Sequence, residues 1–421
     1  MEKLIIVGGS KLEGQITVSG SKNAILPIMA ATLLCEGEAV IHEVPRLKDV
    51  MVMVQVLRFL GAKVKLEGNT LVINSQSIQP QKINEVLMRK LRASNLVIGS
   101  LLARFGEAQV AYPGGCAIGS RPMDLHIKGF QKMGAVVSEK YGYIEAKADK
   151  LVGTDIHLDF PSVGATENLM MAAALSSGTT ILRNVAREPE IVDLQNFLNL
   201  MGGKVTGAGL DLIRITGVPI LSSAEHEVIP DRIETGTHMI AAAVSNGRVK
   251  INNCIPEHVE PITAKLREAG IIVNEGDDYV EVFAKQRPGP IDIKTLPYPG
   301  FPTDMQPQMM VLMAVANGTS IVSESIFENR YKHVDELRRL GAQIKLEGKV
   351  SVVNGVPRLN GALVEATDLR AGAALIIAGL IADDITVVEQ VHYLDRGYEN
   401  IEQKYSQLGA RIVRVNNGVH S

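Results

Sequence analysis

The stretch LGAQI at Leu340–Ile344 decides the fold, because five other stretches of the same pattern occur along the chain. In each, a glycine follows an amphipathic segment and precedes the residues of a strand. Glycine suits the left-handed cap that ends a helix, and β-branched residues favour a strand. The glycines lie 68 to 73 residues apart, so the chain consists of six repeats. The other five stretches are LGAKV (Leu60–Val64), MGAVV (Met133–Val137), MGGKV (Met201–Val205), AGIIV (Ala269–Val273) and LGARI (Leu408–Ile412).

Most repeats also contain a segment that is apolar on nearly every face. A helix of this kind is buried on all sides, and these runs are too short to span a membrane. Their many Ala and Gly residues permit a close approach of neighbouring backbones. We therefore expect a core of packed helices, with sheets and amphipathic helices outside it. The clearest runs are NLVIGSLLARFG (95–106), ATENLMMAAALSSG (165–178), THMIAAAVSNG (237–247), MMVLMAVANG (309–318) and AGAALIIAGLIADD (371–384).

The six repeats divide into three plus three, which predicts an α/β protein of two similar domains. The hinge is expected near Ile229–Asp231, between the third and fourth repeats. The strand-like run Leu4–Val7 precedes the first repeat. We expect this run to pair with the second domain, since a cycle of strands often borrows one from a terminus.

The composition is that of an ordinary globular protein, since the 421 residues are 46% hydrophobic and 21% charged. This balance excludes global disorder. The net charge of −3 does not indicate a protein that binds nucleic acid. The N-terminus lacks the layout of a secretory signal, and no apolar run approaches the roughly 20 residues of a membrane span. We therefore expect a cytoplasmic protein without membrane association, and a monomer is compatible with the sequence.

Metal ions and cofactors are not predicted for this chain. The three cysteines are far apart and odd in number, which argues against disulfides and against a cysteine zinc site. The nine histidines show no spacing typical of ligands, and aromatic residues that could stack a cofactor are few.

One glycine-rich loop, PGGCAIGSRP at Pro113–Pro122, has the features of a reactive site. Cys116 lies among small residues, with Arg121 five positions later. A cysteine that is exposed beside cations has a lowered pKa and becomes nucleophilic. Cys35 and Cys254 lie in apolar contexts and are expected in the core.

Cations occur at the predicted starts of three apolar helices, at Lys22, Arg92 and Arg370. A cation is unfavourable at the positive end of a helix dipole. The arrangement makes sense if both the cation and the helix N-terminus face a bound anion. We therefore infer a site for a small anionic substrate.

A series of motifs resembles the enolpyruvyl transferases of cell-wall synthesis, the UDP-N-acetylglucosamine 1-carboxyvinyltransferase family. The resemblance covers essentially the whole chain in collinear order. It implies an inside-out α/β barrel of two domains, residues 22–229 and residues 1–21 plus 230–421, with three repeats of about 70 residues each. The motifs are SKNA (Ser21–Ala24), LRAS (Leu91–Ser94), PGGCAIGSRP, SVGAT (Ser162–Thr166), AREPEIVD (Ala186–Asp193), PDRIETGT (Pro230–Thr237), PGFPTDMQ (Pro299–Gln306), FENR (Phe327–Arg330), ATDLRA (Ala366–Ala371) and LDRGY (Leu394–Tyr398).

The resemblance implies transfer of the enolpyruvyl group of phosphoenolpyruvate to the 3-hydroxyl of UDP-N-acetylglucosamine, with release of phosphate. This is the first committed step of peptidoglycan precursor synthesis. It would link the chain to cell shape, cell cycle and cell division, and make it a target of fosfomycin. The catalytic residues implied are Lys22, Cys116, Asp304 and Arg396.

The resemblance also implies two sets of binding residues. Phosphoenolpyruvate would be bound by Lys22, Asn23, Arg121, Arg330, Arg370 and Arg396. UDP-N-acetylglucosamine would be bound by Asn23, Arg92, Arg121, Pro122, Met123, Asp124, Leu125, Ser162, Val163, Gly164, Asp304 and the backbone of Ile326. The chain departs from the family pattern at Phe160, where many relatives have a nucleotide-binding lysine, so that role is not transferred.

Two alternatives remain at the level of sequence. The first is the shikimate-pathway enolpyruvyl transferase, which lacks the cysteine loop. The second is a non-catalytic regulatory paralogue that binds the UDP-sugar, although such a protein would be expected to have lost Lys22, Cys116, Asp304 or Arg396.

Overall fold

The computed structural model describes residues 2–83, 87, 94–112 and 123–416. These residues form two compact units. The first, called the inserted unit, runs from Gly20 to Ile229. The second, called the split unit, combines residues 2–19 with residues 230–416.

The helices alternate between apolar and amphipathic, as the repeats predict. They are α1 (Lys22–Ala31), α2 (Lys48–Phe59), α3 (Val97–Phe105), α4 (Asp124–Lys132), α5 (Val163–Ala174), α6 (Pro189–Leu200), α7 (Arg232–Val244), α8 (Glu260–Glu268), α9 (Gln306–Ala314), α10 (His333–Arg339), α11 (Leu369–Ile381) and α12 (Ile401–Gln407).

The strands are short and follow the helices in a regular order. They are β1 (Glu2–Val7), β2 (Glu13–Thr17), β3 (Glu38–His42), β4 (Lys63–Glu67), β5 (Thr70–Asn74), β6 (Glu107–Ala111), β7 (Val136–Lys140), β8 (Tyr143–Lys147), β9 (Asp155–His157), β10 (Thr179–Arg183), β11 (Lys204–Thr206), β12 (Leu212–Thr216), β13 (Glu225–Glu227), β14 (Arg248–Asn252), β15 (Ile272–Glu275), β16 (Tyr279–Phe283), β17 (Ile293–Lys294), β18 (Thr319–Ser323), β19 (Gln343–Glu347), β20 (Val350–Asn354), β21 (Leu363–Glu365), β22 (Ile385–Glu389) and β23 (Arg411–Asn416).

Each repeat contributes one small sheet. The inserted unit contains the sheets β13-β3-β5-β4, β6-β8-β7 and β11-β12-β10-β9, and the split unit contains β15-β16-β14-β2, β17-β18-β20-β19 and β21-β22-β1-β23. These sheets are separate and open, so the described parts of the chain contain no closed barrel.

The glycines that define the repeats all have positive φ. The values are 102° at Gly61, 96° at Gly134, 96° at Gly202, 84° at Gly270, 91° at Gly341 and 92° at Gly409. A residue with a Cβ is strained in this region. The glycine is therefore required at this point, where the chain leaves each amphipathic helix and enters a strand.

The apolar helices form the core of each unit. In α7 every residue is buried, and in α11 all but the last residue are buried. Helices α3 and α5 approach closely at Gly99, where an added Cβ would lie 2.2 Å from the carbonyl oxygen of Asn168. This explains why small residues are frequent in these runs. Within the described ranges, no helix is both long and apolar enough to cross a membrane.

Strand β1 completes the sheet of the sixth repeat. It lies between β22 and β23 and is antiparallel to both, and Ile5 is paired with Val387 on one side and Val413 on the other. In the fifth repeat the corresponding place is taken by β20, which follows β19 in the sequence. The sixth repeat thus takes from the N-terminus a strand that the fifth repeat supplies itself.

A buried ion pair anchors the end of the N-terminal segment within the split unit. The Ser19 amide donates to Glu234 Oε2 at 3.0 Å, and Lys404 donates to Ser19 Oγ at 2.9 Å and pairs with Glu234. Burial alone would raise the pKa of Glu234, but Lys404 and His238 lower it to about 2. Glu234 is therefore ionised in the folded protein, and its charge stabilises the fold.

Replacing Glu234 by Gln should make the free energy of unfolding less dependent on pH in the acid range. The pKa of Glu234 is lowered from 4.5 to about 2, so its contribution, about 3 kcal/mol, is present above pH 4.5 and disappears as the pH falls towards 2. The difference in stability between wild type and variant should shrink over this window in urea titrations. Glu67→Gln is the control, because it removes an exposed ion pair with Lys65 and should have little effect. A constant difference for Glu234→Gln from pH 7 to pH 3 would contradict this.

Candidate active site

Asp304 lies between two buried arginines of the split unit. Its Oδ1 accepts from Arg330 Nη2 at 2.9 Å, and its Oδ2 accepts from Arg370 Nε at 3.1 Å and Nη2 at 2.9 Å. The side chains of Arg330 and Arg370 are 2% and 3% exposed, whereas that of Asp304 is 29% exposed. The carboxylate is therefore the accessible part of a cluster whose positive charges are enclosed.

Local structure brings together Asp304 and Arg330 of the fifth repeat and Arg370 of the sixth. Asp304 belongs to a 3₁₀ turn, Thr303–Met305, that leads directly into α9. Arg370 is in the first turn of α11, where Asp368 caps the helix by accepting from the amides of Arg370 and Ala371. Arg330 lies in the turn before α10.

Arg370 remains charged although it is buried. Burial lowers the pKa of Arg370, but the attraction of Asp304, Tyr398 and Asp231 outweighs it and raises the pKa above its usual value. Two guanidinium nitrogens in this cluster, Arg330 Nε and Arg370 Nη1, have no hydrogen-bond acceptor in the described structure. Buried donors without acceptors are costly, so this cluster is suited to a further anionic ligand.

Two other predicted site residues lie in the split unit. Arg396 ends the 3₁₀ helix Val391–Arg396 and is partly buried. The Ile326 amide donates to Glu324 Oε1 at 2.8 Å. A backbone contact from Ile326 to a sugar would therefore have to come from its carbonyl group.

Lys22 is the first residue of α1 in the inserted unit, as the sequence predicted for a helix start. Ser21 caps this helix by accepting from the Ala24 amide. Lys22 Nζ lies 3.5 Å from Asp49 Oδ2, and these side chains are 13% and 5% exposed. Asn23 follows in the first turn and is partly exposed.

The remaining described candidates lie at the starts of α4 and α5. Ser162 caps α5 by accepting from the Ala165 amide, so Val163 and Gly164 form the first turn of that helix. Met123 is buried, Asp124 is the exposed first residue of α4, and Leu125 is partly exposed. The described nucleotide-sugar candidates of this unit thus lie at three helix N-termini, those of α1, α4 and α5, where backbone amides favour anions. Phe160 is 46% exposed, two residues before the cap of α5.

Four predicted site residues, Arg92, Cys116, Arg121 and Pro122, lie outside the described residues. The other two cysteines are buried, Cys35 at 1% and Cys254 at 3% exposure, as the sequence predicted. Burial raises the pKa of Cys35, and it raises the pKa of Cys254 to about 11. Both thiols are therefore protonated at neutral pH and poorly nucleophilic.

Sequence reasoning missed a polar group next to Arg370, formed by Thr237, Gln308 and Tyr398. Tyr398 Oη lies 2.9 Å from Thr237 Oγ1 and 3.2 Å from Gln308 Nε2. The sequence could have indicated this group, because Thr237 and Gln308 are polar residues inside the otherwise apolar runs of α7 and α9, and buried polar side chains need hydrogen-bond partners. In the described ranges, no group of three or more His, Cys, Asp or Glu side chains could hold a metal ion.

Comparison with known proteins places the chain among the enolpyruvyl transferases. The model of the family described as EPSP synthase (3-phosphoshikimate 1-carboxyvinyltransferase) matches residues 6–405. UDP-N-acetylglucosamine 1-carboxyvinyltransferase 1 of Carboxydothermus hydrogenoformans is 59% identical over 416 residues, which is 99% of each chain. The protein of the same name from Symbiobacterium thermophilum is 54% identical and covers 98% of this chain and 95% of its own.

Solved structures confirm the predicted fold class. The enolpyruvyl transferase NikO from Streptomyces tendae has a TM-score of 0.89 at 24% identity, over 98% of this chain and 99% of its own. An EPSP synthase from Acinetobacter baumannii has a TM-score of 0.76 at 17% identity, over 99% of this chain and all of its own. At these identities the likeness concerns the fold alone.

The family assignment therefore depends on the close relatives, which match nearly the whole chain at more than half of its positions. The motifs that suggested the resemblance lie within the matched range of the family model. The chain belongs to the UDP-N-acetylglucosamine 1-carboxyvinyltransferases, a family of enolpyruvyl-transferring enzymes.

Proposed function

We propose that this enzyme transfers the enolpyruvyl group of phosphoenolpyruvate to the 3-hydroxyl of UDP-N-acetylglucosamine and releases phosphate. The observation that supports this most directly is the partly exposed carboxylate of Asp304, which accepts hydrogen bonds from two buried arginines. Such a cluster combines a carboxylate that accepts a proton with cations that bind an anionic substrate. The names of the relatives, at up to 59% identity, agree with the same reaction.

The reaction proceeds in two steps. Asp304 accepts the proton of the sugar hydroxyl while the oxygen bonds to the central carbon of phosphoenolpyruvate. Cys116 donates a proton to the methylene carbon, which gives a tetrahedral ketal. The Cys116 thiolate then takes a proton back from the new methyl group, the carbon–oxygen bond to phosphate breaks so that phosphate leaves, and the carbon–carbon double bond is restored.

The cations have two different tasks in this proposal. Arg330 and Arg370 bind the carboxylate of phosphoenolpyruvate, for which the planar guanidinium is well suited. The unmatched Arg330 Nε and Arg370 Nη1 are the donors that such a carboxylate would satisfy. Lys22, with Arg121 and Arg396, binds the phosphate, and Asn23 assists. Charge stabilisation of this kind contributes strongly to catalysis, and the reaction requires no metal or cofactor.

The remaining candidate residues bind UDP-N-acetylglucosamine in this proposal. The first turns of α4 and α5 offer backbone amides to its diphosphate, and Asp304 contacts the reacting hydroxyl. The full proposed set is Asn23, Arg92, Arg121, Pro122, Met123, Asp124, Leu125, Ser162, Val163, Gly164, Asp304 and Ile326. We further propose that the two compact units correspond to functional domains of residues 22–229 and of residues 1–21 plus 230–421.

The proposed reaction opens peptidoglycan precursor synthesis and would take place in the cytoplasm. Loss of the enzyme would then affect cell-wall biogenesis, and through it cell shape, cell cycle and cell division. Both substrates are small molecules, and the proposal involves no nucleic acid or membrane partner.

A phosphate-release assay tests the function and separates the alternatives. We expect release only when phosphoenolpyruvate and UDP-N-acetylglucosamine are both present. Release with 3-phosphoshikimate in place of the UDP-sugar would assign the shikimate-pathway reaction instead. Binding of the UDP-sugar without release under any of these conditions would identify a non-catalytic regulatory protein.

Fosfomycin, an epoxide phosphonate, should alkylate Cys116 and spare the other two cysteines. The reason is that Cys35 and Cys254 are buried and their thiol pKa values are raised, whereas the sequence around Cys116 predicts a reactive thiolate. Peptide mass mapping after labelling measures the modified fraction at each cysteine. Cys116→Ser, which lacks this thiol, is the control and should remain unlabelled. Equal labelling of the three cysteines in the native protein would refute a specially activated thiol.

A further inference from the structure

The hydroxyl of Tyr398 is buried among three helices of the split unit. Tyr398 is 3% exposed and belongs to the LDRGY motif, two residues after Arg396. Its hydroxyl contacts Thr237 of α7 and Gln308 of α9 and also interacts with the guanidinium of Arg370. Its ring centre lies 5.5 Å from the guanidinium carbon of Arg370 in α11. One side chain thus connects the apolar helices of the fourth, fifth and sixth repeats.

The hydrogen bonds around this hydroxyl have a defined direction. The single proton of Thr237 Oγ1 is donated to the Ile233 carbonyl at 2.7 Å. Tyr398 must therefore donate its proton to Thr237 Oγ1, and the Gln308 amide donates to Tyr398 Oη and, at 3.1 Å, to Thr237 Oγ1. Burial raises the pKa of Tyr398 although Arg370 opposes it. The phenol is neutral and its proton is engaged, so it is not an acid or a base in the reaction.

The position of the ring matters for Arg370. A guanidinium over an aromatic face is attracted to it, and the edge of the same guanidinium donates to Asp304. Gln308 follows Asp304 by four residues and lies in the first turn of α9. The amide that fixes the phenol therefore belongs to the segment that presents Asp304.

We propose that Tyr398 is a positioning residue for the enolpyruvyl transfer. Its hydroxyl fixes the ring against α7 and α9, and the ring fixes the plane of Arg370 in the orientation that binds both Asp304 and the carboxylate of phosphoenolpyruvate. This inference rests on the proposed function and adds a residue that does not itself contact the substrates.

Tyr398→Phe tests the proposal, because it keeps the ring and removes the hydroxyl. We expect the KM for phosphoenolpyruvate to rise about 10-fold, the scale of one lost buried hydrogen bond, while the KM for UDP-N-acetylglucosamine stays within about twofold. Thr237→Val removes the acceptor of the same hydroxyl and should give the same selective change. It also serves as the second variant if Tyr398→Phe folds poorly.

Tyr405→Phe is the matched control. Tyr405 is fully buried in the same unit, and its hydroxyl lies 3.3 Å from His238 Nδ1. Thermal melting should show that Tyr405→Phe is destabilised to a similar degree, yet its KM for phosphoenolpyruvate should be unchanged. The positioning role would be overturned if the KM for phosphoenolpyruvate rose equally in all three variants. It would also be overturned if this KM did not rise in Tyr398→Phe and Thr237→Val.

A second measurement keeps this result separate from the proposed function. If the wild type releases no phosphate with either acceptor, the function is wrong, and the role of Tyr398 is read from stability instead. A double-mutant cycle of Tyr398→Phe with Arg370→Lys in urea should show non-additive changes in the unfolding equilibrium, by about fivefold or more. Additive changes would show that Tyr398 does not act through Arg370.

Discussion

Asp304→Asn should lower turnover by about 100-fold or more, the usual effect of losing a general base. The substitution preserves the shape of the side chain and leaves an oxygen that can still accept from Arg330 or Arg370. It removes the negative charge that takes the proton from the sugar hydroxyl. Binding of UDP-N-acetylglucosamine, measured by calorimetry, should change much less, since most of its proposed contacts lie elsewhere.

The control for this variant is Asp335→Asn. Asp335 also accepts from an arginine, Arg338, at 2.8 Å, but its side chain is 77% exposed. The turnover of the Asp335→Asn enzyme should equal that of the wild type. An Asp304→Asn enzyme with near-normal turnover would transfer the base role to another residue.

Arg370→Lys should reduce kcat/KM for phosphoenolpyruvate by about 100- to 1000-fold, the range for losing a preorganised donor in an active site. Lysine keeps the charge, so Asp304 is not left beside a neutral group. It cannot reproduce the planar pair of donors, Nε and Nη2, that contact Asp304 Oδ2. The loss should appear in steady-state kinetics with saturating UDP-N-acetylglucosamine.

Arg248→Lys provides the comparison for a similar ion pair on the surface. Arg248 contacts Glu281 at 2.9 Å, but its side chain is 63% exposed. Exposed pairs contribute little, so this variant should behave as wild type. A loss below about tenfold in Arg370→Lys would remove Arg370 from the substrate-binding set.

The repeat structure could be predicted from the sequence because it depends on local chemistry. A glycine at positive φ after each amphipathic helix is required wherever the chain makes this turn, and so the six glycines mark the repeats. The buried helices were equally visible, since a run without a polar face has to be enclosed. Asp231 caps α7, because its carboxylate accepts from the amides of Ile233 and Glu234.

The geometry of the candidate site could not be predicted in the same way. Asp304 is separated from Arg330 by 26 residues and from Arg370 by 66. The periodicity of the sequence does not predict that the Asp304 carboxylate accepts from Arg330, which precedes the second helix of the same repeat, and from Arg370, which begins a helix of the next repeat. The resemblance to a family supplied the residues, whereas their hydrogen bonds, and the phenol behind Arg370, required the structure.

The central place of β1 affects the order in which the chain can fold during synthesis. Residues 20–229 contain all the strands of their three sheets, so this unit can form as soon as it leaves the ribosome, as domains generally do. Strand β1 is made before β22 and β23 and has to wait for them, since they follow it by almost four hundred residues. Until then Leu4 and Ile6, both fully buried in the final structure, have no native neighbours. Strand β1 is thus shielded from water only after β22 and β23 have been made, and a chain interrupted before β23 would leave it exposed.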